Sequence, residues 1–383
     1  MLIPKYTITN EILTNIGIIE ACREAIENAP MIPSYEKSFQ DEALLRTVHY
    51  GTHIEGNELS LAEARKIIET RNTRHETREK DENWGEGRDV QEIINYRRVM
   101  KHVDSLASNG SWVVGSGSGS EGESGDGKSP FLYTKDQLLK MHALTVERIL
   151  PDNQCGKLRN IQVVAKDSQT GKIILRYPPS VEVPFQIDGF LSWLNGEQSR
   201  TIHPVLRAGI THYLLAAIHP FVEGNGRVSR AFATLVLFTE NYNIKKLFSL
   251  EEYFDKNAQR YFTALKEVSD QSQDLAKRDL TLWLEFFSGA LAAELSKTKD
   301  KVKLLSFDGR FRKKQGGKQI VLSPRQLKLI EHLEVYEEMS MQTAKEILPM
   351  VSEDTILRDL KDLIKKKIIK KKGKTKGAKY YVA

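Results

Sequence analysis

The chain has 383 residues, of which 40% are hydrophobic and 28% charged, and it carries a mild net charge of +6; this is the balance of a globular protein with room for two domains. Two cysteines, Cys22 and Cys155, are too few for a disulfide framework or a zinc cluster, and no apolar run approaches the length that spans a bilayer. Because the N-terminus also lacks the basic and apolar regions of a secretory signal, we expect a cytoplasmic protein with no membrane partner.

Helical periodicity dominates the first 300 residues or so. Two capping boxes, Ser60 with Glu63 and Thr134 with Gln137, predict helix starts. Further helices are expected near 88–107, 183–195, 203–218, 226–241, 255–269 and 278–296. The Gly/Ser-rich stretch 115–129 cannot bury apolar surface, so it predicts a flexible loop between helices.

One segment departs from this helical pattern. Two short β-prone runs, Ile161–Val164 and Ile173–Leu175, flank the polar stretch Lys166–Lys172, which contains a glycine. Two prolines follow at 178–179. The pattern predicts a β-hairpin, and a plain edge hairpin without a functional role is one interpretation of it.

A second unit is predicted after a basic, glycine-bearing stretch at 298–320. Helices are expected at Pro324–Val335 and Met341–Leu348, and Ser352 caps a third helix. Two strands would then pair across a turn. Three helices followed by a hairpin resemble a winged helix-turn-helix domain. The segment 361–379 holds ten lysines against one acid, which is typical either of a solvated face or of a surface for nucleic acid.

The most informative segment is HPFVEGNGRVSR, from His219 to Arg230. The stretch before it is apolar enough to be a buried helix, and an apolar helix follows it. Between them, Gly224-Asn225-Gly226 can adopt positive φ and let a ligand approach the backbone closely. A glycine-bearing loop that opens a helix directs N–H groups and the positive end of the helix dipole at one place, which predicts an anion site.

Charged and titratable side chains accompany this loop. Arg227 and Arg230 place two permanent cations beside it, which suits phosphate oxygens. Glu223 is an oxygen ligand of the kind that Mg²⁺ uses when phosphates supply the others. His219 is a base whose ordinary pKa is near neutrality. Each residue alone has an ordinary structural explanation, but their combination within twelve residues indicates phosphoryl or nucleotidyl transfer.

The segment matches the Fic family signature at every defined position: HPF, any residue, Asp or Glu, GNGR, two residues, Arg. The chain resembles this family over roughly residues 40–290. The resemblance implies a mainly α fold, a helical bundle with a β-hairpin flap, which would bear the winged-helix domain at its C-terminus. It also implies a protein adenylyltransferase that moves AMP from ATP and Mg²⁺ to a Ser, Thr or Tyr hydroxyl of a protein substrate.

This interpretation divides the chain into four parts. Residues 1–90 form an N-terminal helical region with an inhibitory helix, and residues 91–297 form the catalytic domain. Residues 298–320 are a linker, and residues 321–383 are the winged-helix domain.

The resemblance also implies roles for single residues. His219 is the base that takes the proton from the target hydroxyl, Phe221 points into the core, and Glu223 binds Mg²⁺. Arg227 contacts the β-phosphate and Arg230 the γ-phosphate. The anion hole for the α- and β-phosphates is formed by Gly224, Asn225 and Gly226.

The hairpin resembles the family's flap, which pairs with the backbone of the target by strand addition. The residues that would lie over nucleotide and target are Ile174, Leu175 and Arg176. Tyr261 is the candidate for stacking on the adenine base, although an aromatic residue at helical spacing is also typical of a core.

The segment Gly51–Asn57, GTHIEGN, resembles the family's inhibitory motif, with Gly51 standing where the motif has Ser or Thr. Glu55 would pair with Arg230 and take the cation that the γ-phosphate needs. A helix C-terminus capped by Gly56 is an alternative interpretation that is compatible with this one.

A rival function is a DNA-binding regulator whose Fic module senses nucleotide. In this case the lysines of the C-terminal hairpin would contact DNA phosphates, and Thr355 and Arg358 would be nearest the base edges. The sequence also leaves open that the winged helix binds protein, that the chain modifies itself, and that it forms a homodimer.

Overall fold

The computed structural model describes residues 3–31, 33–73, 87–108, 130–166, 173–305, 322–349, 351–373 and 378–383. Most of these residues are helical, which confirms the predicted mainly α fold. They group into two compact units, one of Met1–Arg23 with Glu42–Ser296 and one of Glu24–Asp41 with Lys297–Ala383. The helix ends around Glu24–Asp41, which the sequence placed with the N-terminal region, thus pack in the second unit.

Twelve α-helices lie in the described residues before residue 306. They are α1 Asn10–Glu27, α2 Pro33–His53, α3 Leu61–Thr73, α4 Arg88–Ser108, α5 Lys135–Val146, α6 Val183–Asn195, α7 Glu197–Arg200, α8 Pro204–Ile218, α9 Asn225–Thr239, α10 Leu250–Lys256, α11 Ala258–Asp270 and α12 Thr281–Leu305. Both predicted capping boxes are present. No helix in the described parts of the chain is both long and apolar enough to cross a bilayer.

Two predicted segments differ clearly from the structure. The helix expected at 255–269 is interrupted at Asn257, which has φ −121° and ψ 34°, so α10 and α11 meet at an angle there. Residues 298–305, expected in a linker, continue α12, and Val302 is buried. The rest of that linker, 306–320, and the loop 115–129 lie outside the described residues.

The core of the first unit is built around α8 and α9. These helices pack against each other, and α4 and α5 pack on α9 while α6 packs on α8. Nearly every residue of α8 is buried, as expected for a helix that is apolar on all sides. Gly209 of α8 lets α12 approach closely, since a Cβ there would meet Leu284 and Phe287, and Trp283 donates to the Gly209 carbonyl at 2.7 Å. The loop between α8 and α9 is therefore held by a rigid pair of buried helices.

The predicted hairpin is present. Strand β1, Val164–Lys166, pairs antiparallel with β2, Ile173–Arg176, and Val164 faces Arg176 in the register. β1 begins three residues later than the sequence predicted.

The second unit contains the three predicted C-terminal helices and a small sheet. Its elements are α13 Pro324–Tyr336, β3 Glu338–Ser340, α14 Met341–Ile347, α15 Glu353–Lys365, β4 Ile369–Lys372 and β5 Lys379–Val382. Strand β4 pairs antiparallel with β5, with Ile369 opposite Val382, so the two strands expected after the third helix are present. Strand β3 is an additional strand that makes the sheet order β3-β5-β4. Leu333, Ile356 and Leu360 belong to the apolar cluster that holds these elements together.

Candidate active site

The loop that joins α8 to α9 turns sharply at both ends. His219, which caps α8, has φ 51° and ψ 61°, and Gly224, which caps α9, has φ 77° and ψ 9°. A Cβ on Gly224 would come within 3.0 Å of Thr145 and 3.1 Å of Val146, so this position needs glycine for space as well as for its backbone. The first N–H groups of α9 consequently point at one place, where an anion is stabilised.

Asn225 holds this loop together. Its Oδ1 accepts a hydrogen bond from the Phe221 N–H at 2.9 Å, and its Nδ2 donates to the Phe221 carbonyl at 2.9 Å. Phe221 is fully buried, as predicted, and its ring stacks on His142 with 3.8 Å between centroids. Because the side chain of Asn225 is used within the loop, this residue can meet an anion only through its backbone N–H.

A carboxylate lies at the start of α9. Oε2 of Glu55 accepts a hydrogen bond from Nε of Arg227 at 2.9 Å, and Oε1 accepts one from Nη2 of Arg230 at 2.7 Å. A Cβ on Gly226 would clash with Glu55, so the carboxylate rests directly against this glycine. The expected contact between Glu55 and Arg230 is present, and Arg227 is a second partner that the sequence did not indicate.

The charges at this point are strongly coupled. The side chains of Arg227 and Arg230 are 2% exposed, and that of Glu55 is 23% exposed. Burial opposes ionisation of Glu55, but the charges of Arg230 and Arg227 hold the pKa of its carboxyl below the ordinary value. Arg230 also donates to the Gly51 carbonyl at 2.7 Å, while its buried Nε has no hydrogen-bond partner among the described residues. The two arginines can therefore serve an anion larger than one carboxylate.

The structure explains the glycine at the start of the inhibitory-like motif. A Cβ on Gly51 would clash with the ring of Tyr96, which is fully buried and donates its hydroxyl to Oε1 of Glu251 at 3.1 Å. Tyr96 thus fills the space in which a Ser or Thr side chain would lie. Gly56 has φ 100° just beyond the end of α2, so the capping interpretation of this segment also holds.

Glu223, the predicted metal ligand, contacts basic side chains. Its carboxylate forms a close ion pair with Arg88 and lies 3.6 Å from Nη2 of Arg227. Arg88 also pairs with Glu92 at 3.2 Å, and Glu92 lies 3.4 Å from Nη1 of Arg227. These contacts link Glu223 through Arg227 to Glu55 in one network of alternating charge.

The residues present fit a magnesium ion that arrives with a phosphate ligand. In the parts of the chain that the structure describes, no group of three His, Cys, Asp or Glu side chains could hold a metal ion by itself. Glu223 is 27% exposed and offers a single carboxylate. Mg²⁺ in proteins is commonly held by one or two carboxylates together with phosphate and water oxygens.

The imidazole of His219 is arranged as a neutral proton acceptor. Its Nδ1 lies 3.3 Å from the Ala216 carbonyl, which can only accept, so Nδ1 carries the hydrogen and Nε2 keeps its lone pair. Burial lowers the pKa of His219 to about 4, against the opposing effect of the Ala216 carbonyl. The ring stacks on Tyr177, with 3.7 Å between centroids and 13° between planes. His219 is therefore available as a base at neutral pH.

His142 supports the loop from α5. Its Nδ1 accepts a hydrogen bond from the Gly156 N–H at 3.0 Å, so Nε2 carries the hydrogen and donates to the Glu223 carbonyl at 3.2 Å. Burial lowers the pKa of His142 to about 4. The sequence did not single out this residue, because nothing in its local spacing marks it.

Tyr261 does not offer a free face to a base in this structure. It is 2% exposed and lies among aromatic rings, stacked on Phe254 at 4.9 Å between centroids. Its hydroxyl pairs with Nε2 of His212 at 3.1 Å. The ring is packed as a core residue here, and the stacking of Tyr261 on adenine stays a prediction. His212, for which no role was predicted, is this buried partner.

The flap residues are placed only in part. Ile174, Leu175 and Arg176 lie in β2, and their side chains fall outside the described part of the chain. The expectation that they contact nucleotide and target stays a prediction.

The chain resembles known proteins of one family over part of its length. Residues 132–237, which include the whole loop, match the Fic/DOC family. The chain is 29% identical over 224 residues to a protein named protein adenylyltransferase Fic from Culex quinquefasciatus, a match that covers 57% of this chain and 37% of that protein. It is 30% identical over 205 residues to the protein of that name from Drosophila melanogaster, covering 52% and 34%. The matches thus span little more than a third of these relatives.

Solved structures show the same fold. A Fic family protein from Desulfovibrio desulfuricans G20 aligns with a TM-score of 0.59 at 20% identity, covering 100% of this chain and 98% of that one. A Fic domain containing signaling protein from Bacteroides thetaiotaomicron aligns with a TM-score of 0.58 at 18% identity, covering 76% and 99%. Residues 132–237 therefore match the Fic/DOC family, and the chain has the fold of solved Fic family structures.

Proposed function

We propose that this chain is a protein adenylyltransferase that transfers AMP from ATP to a Ser, Thr or Tyr hydroxyl of a protein, and that Glu55 restrains it. The observation that supports this most directly is the carboxylate of Glu55 against Gly226 and between Arg227 and Arg230. A site that holds one anion so closely, next to the neutral imidazole of His219, suits a triphosphate and a general base.

Each residue of the site has a separate role in this reaction. The N–H groups at the start of α9 bind phosphate oxygens, and Arg227 and Arg230 bind the β- and γ-phosphates. Nε2 of His219 accepts the proton of the target hydroxyl while that oxygen bonds to the α-phosphorus. The bond from the α-phosphorus to the bridging oxygen breaks, and pyrophosphate leaves. The products are AMP-modified protein, pyrophosphate and a proton that His219 returns to water.

Magnesium would be held by Glu223 together with phosphate oxygens and would neutralise the charge of the departing pyrophosphate. In the present structure Arg88 pairs with that carboxylate. Glu55 and Arg88 thus form ion pairs with the residues that would bind nucleotide and magnesium. We interpret this arrangement as the resting state of the enzyme.

The test uses the Glu55→Gly variant, which frees both arginines. We expect it to label itself or added protein when the label is on the α-phosphate of ATP, and not when the label is on the γ-phosphate. A general base contributes about 10²–10⁴-fold, so Glu55→Gly with His219→Ala should be slower by about that factor. UTP, GTP and CDP-choline run in parallel identify the donor. Transfer of the γ-label, or an equal rate without His219, would contradict the proposal.

One observation supports the alternative of a DNA-binding regulator, and one opposes it. Lys370, Lys371 and Lys372 lie exposed along β4, as phosphate contacts would require. The first turn of α15, however, carries Glu353 and Asp354, which would face the negative charge of DNA. A gel shift on random duplex DNA across a salt series distinguishes these, because phosphate binding weakens steeply as salt rises.

A further inference from the structure

Arg159 contacts three separate stretches of backbone with one side chain. Its Nε donates to the His219 carbonyl at 2.8 Å, Nη1 to the Ile161 carbonyl at 3.0 Å, and Nη2 to the Pro178 carbonyl at 2.6 Å. Its own backbone N–H donates to the Pro220 carbonyl at 2.9 Å. The residue is 3% exposed.

These carbonyls belong to two parts of the proposed site. Ile161 lies just before β1 and Pro178 just after β2, so they mark the two ends of the hairpin. His219 and Pro220 belong to the loop between α8 and α9. The side chain of Arg159 therefore connects both ends of the hairpin to the backbone of His219, the proposed base.

The contacts require an arginine. A planar guanidinium can hold three carbonyls from three nitrogens at fixed angles, whereas a lysine offers one nitrogen on a flexible stem. Among the described residues, the groups that accept hydrogen bonds from this guanidinium are all backbone carbonyls and none is a carboxylate. A buried cation is costly unless its N–H donors are satisfied. The three hydrogen bonds therefore fix the positions of these three backbone segments relative to one another.

The conformation of His219 depends on this neighbour. A non-glycine residue at φ 51° is strained, and such a conformation persists only where its surroundings fix it. Arg159 fixes the carbonyl end of His219. Pro178, held by the same guanidinium, directly follows Tyr177, whose ring stacks on the imidazole. Both the backbone and one face of the base are thus set by contacts that depend on Arg159.

We propose that Arg159 is a positioning residue, which aligns His219 with the hairpin and takes no part in holding nucleotide. This inference rests on the proposed function and on the expectation from the sequence that the hairpin pairs with the backbone of the target. Loss of the three guanidinium hydrogen bonds should then slow transfer and leave the affinity for ATP unchanged, since the phosphate contacts lie at the start of α9.

The first experiment compares Arg159→Lys with Arg278→Lys, each combined with Glu55→Gly. Arg278 is a matched control, because it is 4% exposed and donates to the Ser272 carbonyl at 2.7 Å, as well as to the Tyr213 hydroxyl at 3.0 Å. We expect Arg159→Lys to lower the transfer rate at saturating ATP by roughly 10- to 100-fold, as a small misplacement does. The dissociation constant for ATP should stay within about 2-fold. Equal loss of rate in both variants, or weaker ATP binding that accounts for the loss, would overturn the proposal.

A second measurement does not depend on transfer. The ¹⁵N resonances of the His219 imidazole, assigned by comparison with His219→Gln, report its tautomer and pKa in nucleotide-free protein. We expect them to shift in Arg159→Lys and to stay in place in Arg278→Lys. If the parent Glu55→Gly protein transfers no AMP, the proposed function fails, and the resonances still decide the role of Arg159.

Should Arg159→Lys not fold, Tyr177→Leu tests the same alignment from the other side of the ring. Tyr177 is partly exposed, so its replacement leaves the core intact. Lower transfer at unchanged ATP affinity, with shifted His219 resonances, supports the proposal. A full rate with unshifted resonances refutes it.

Discussion

Replacing Glu55 with glutamine separates the charge of this side chain from its shape. The carboxylate accepts one hydrogen bond from Arg227 at 2.9 Å and one from Arg230 at 2.7 Å. A hydrogen bond to a charged group contributes about 1.5–3 kcal/mol. Allowing for the partial exposure of Glu55, these contacts favour the restrained state by about 3 kcal/mol in total.

This figure sets the expected change in ATP affinity. A preference of about 3 kcal/mol leaves roughly one molecule in 100 with both arginines free, and the apparent dissociation constant rises by the same factor. Glu55→Gln should therefore bind ATP with Mg²⁺ up to about 100-fold more tightly. Without nucleotide, the same variant should unfold at a lower temperature, because two buried cations lose their counter-charge.

The two effects have opposite signs, which makes the pair diagnostic. Isothermal titration calorimetry measures the affinity, and thermal denaturation with and without ATP measures the stability. Glu58→Gln is a matched control, since Glu58 is exposed and, within the described residues, only its backbone N–H has a side-chain partner. Unchanged or weaker ATP binding in Glu55→Gln would refute the view that this carboxylate occupies the triphosphate site.

Three further predictions follow from the site. Because burial lowers the pKa of His219 to about 4, the base is neutral above that pH; the transfer rate of Glu55→Gly, followed across pH, should show no loss near pH 6.5 and should fall only toward pH 4. His142, with its pKa lowered to about 4, binds a proton in the unfolded chain before it does so in the folded one. Stability should therefore fall as pH drops from about 6.5 to about 4, by up to roughly 3 kcal/mol, and His142→Gln should flatten this slope in thermal denaturation. Arg88→Ala should free Glu223 and lower the Mg²⁺ concentration for half-maximal activity by about 2- to 5-fold in a magnesium titration; an unchanged requirement would show that the ion pair has no influence.

The fold followed from the sequence wherever its causes are local. The capping box at Thr134 and the apolar stretch of α8 act through residues a few positions apart, so their helices could be predicted. The break at Asn257 and the pairing of β3 with β5 could not. Strand β3 has three residues and forms only because β5, about 40 positions later, supplies its hydrogen bonds.

The aromatic residues show the same limit. Tyr261 was expected to stack on adenine because of the resemblance to the family, although an aromatic side chain at helical spacing is also typical of a core. Its environment depends on Phe254 and His212, of which the second comes from a helix about 50 positions earlier in the chain. Spacing along one helix cannot distinguish a residue that stacks on adenine from a core residue, since it does not show which other elements pack against that side chain.

The sequence by itself determined the loop between α8 and α9, because twelve consecutive residues contain the glycines, cations, carboxylate and imidazole that an anion site needs. It also indicated Glu55 as the partner of Arg230. Only the tertiary structure decided that Glu55 pairs with both arginines, that Arg88 holds Glu223, and that Arg159 joins the hairpin to the base. These contacts connect residues far apart in the chain, and their geometry depends on how buried helices pack rather than on any local pattern.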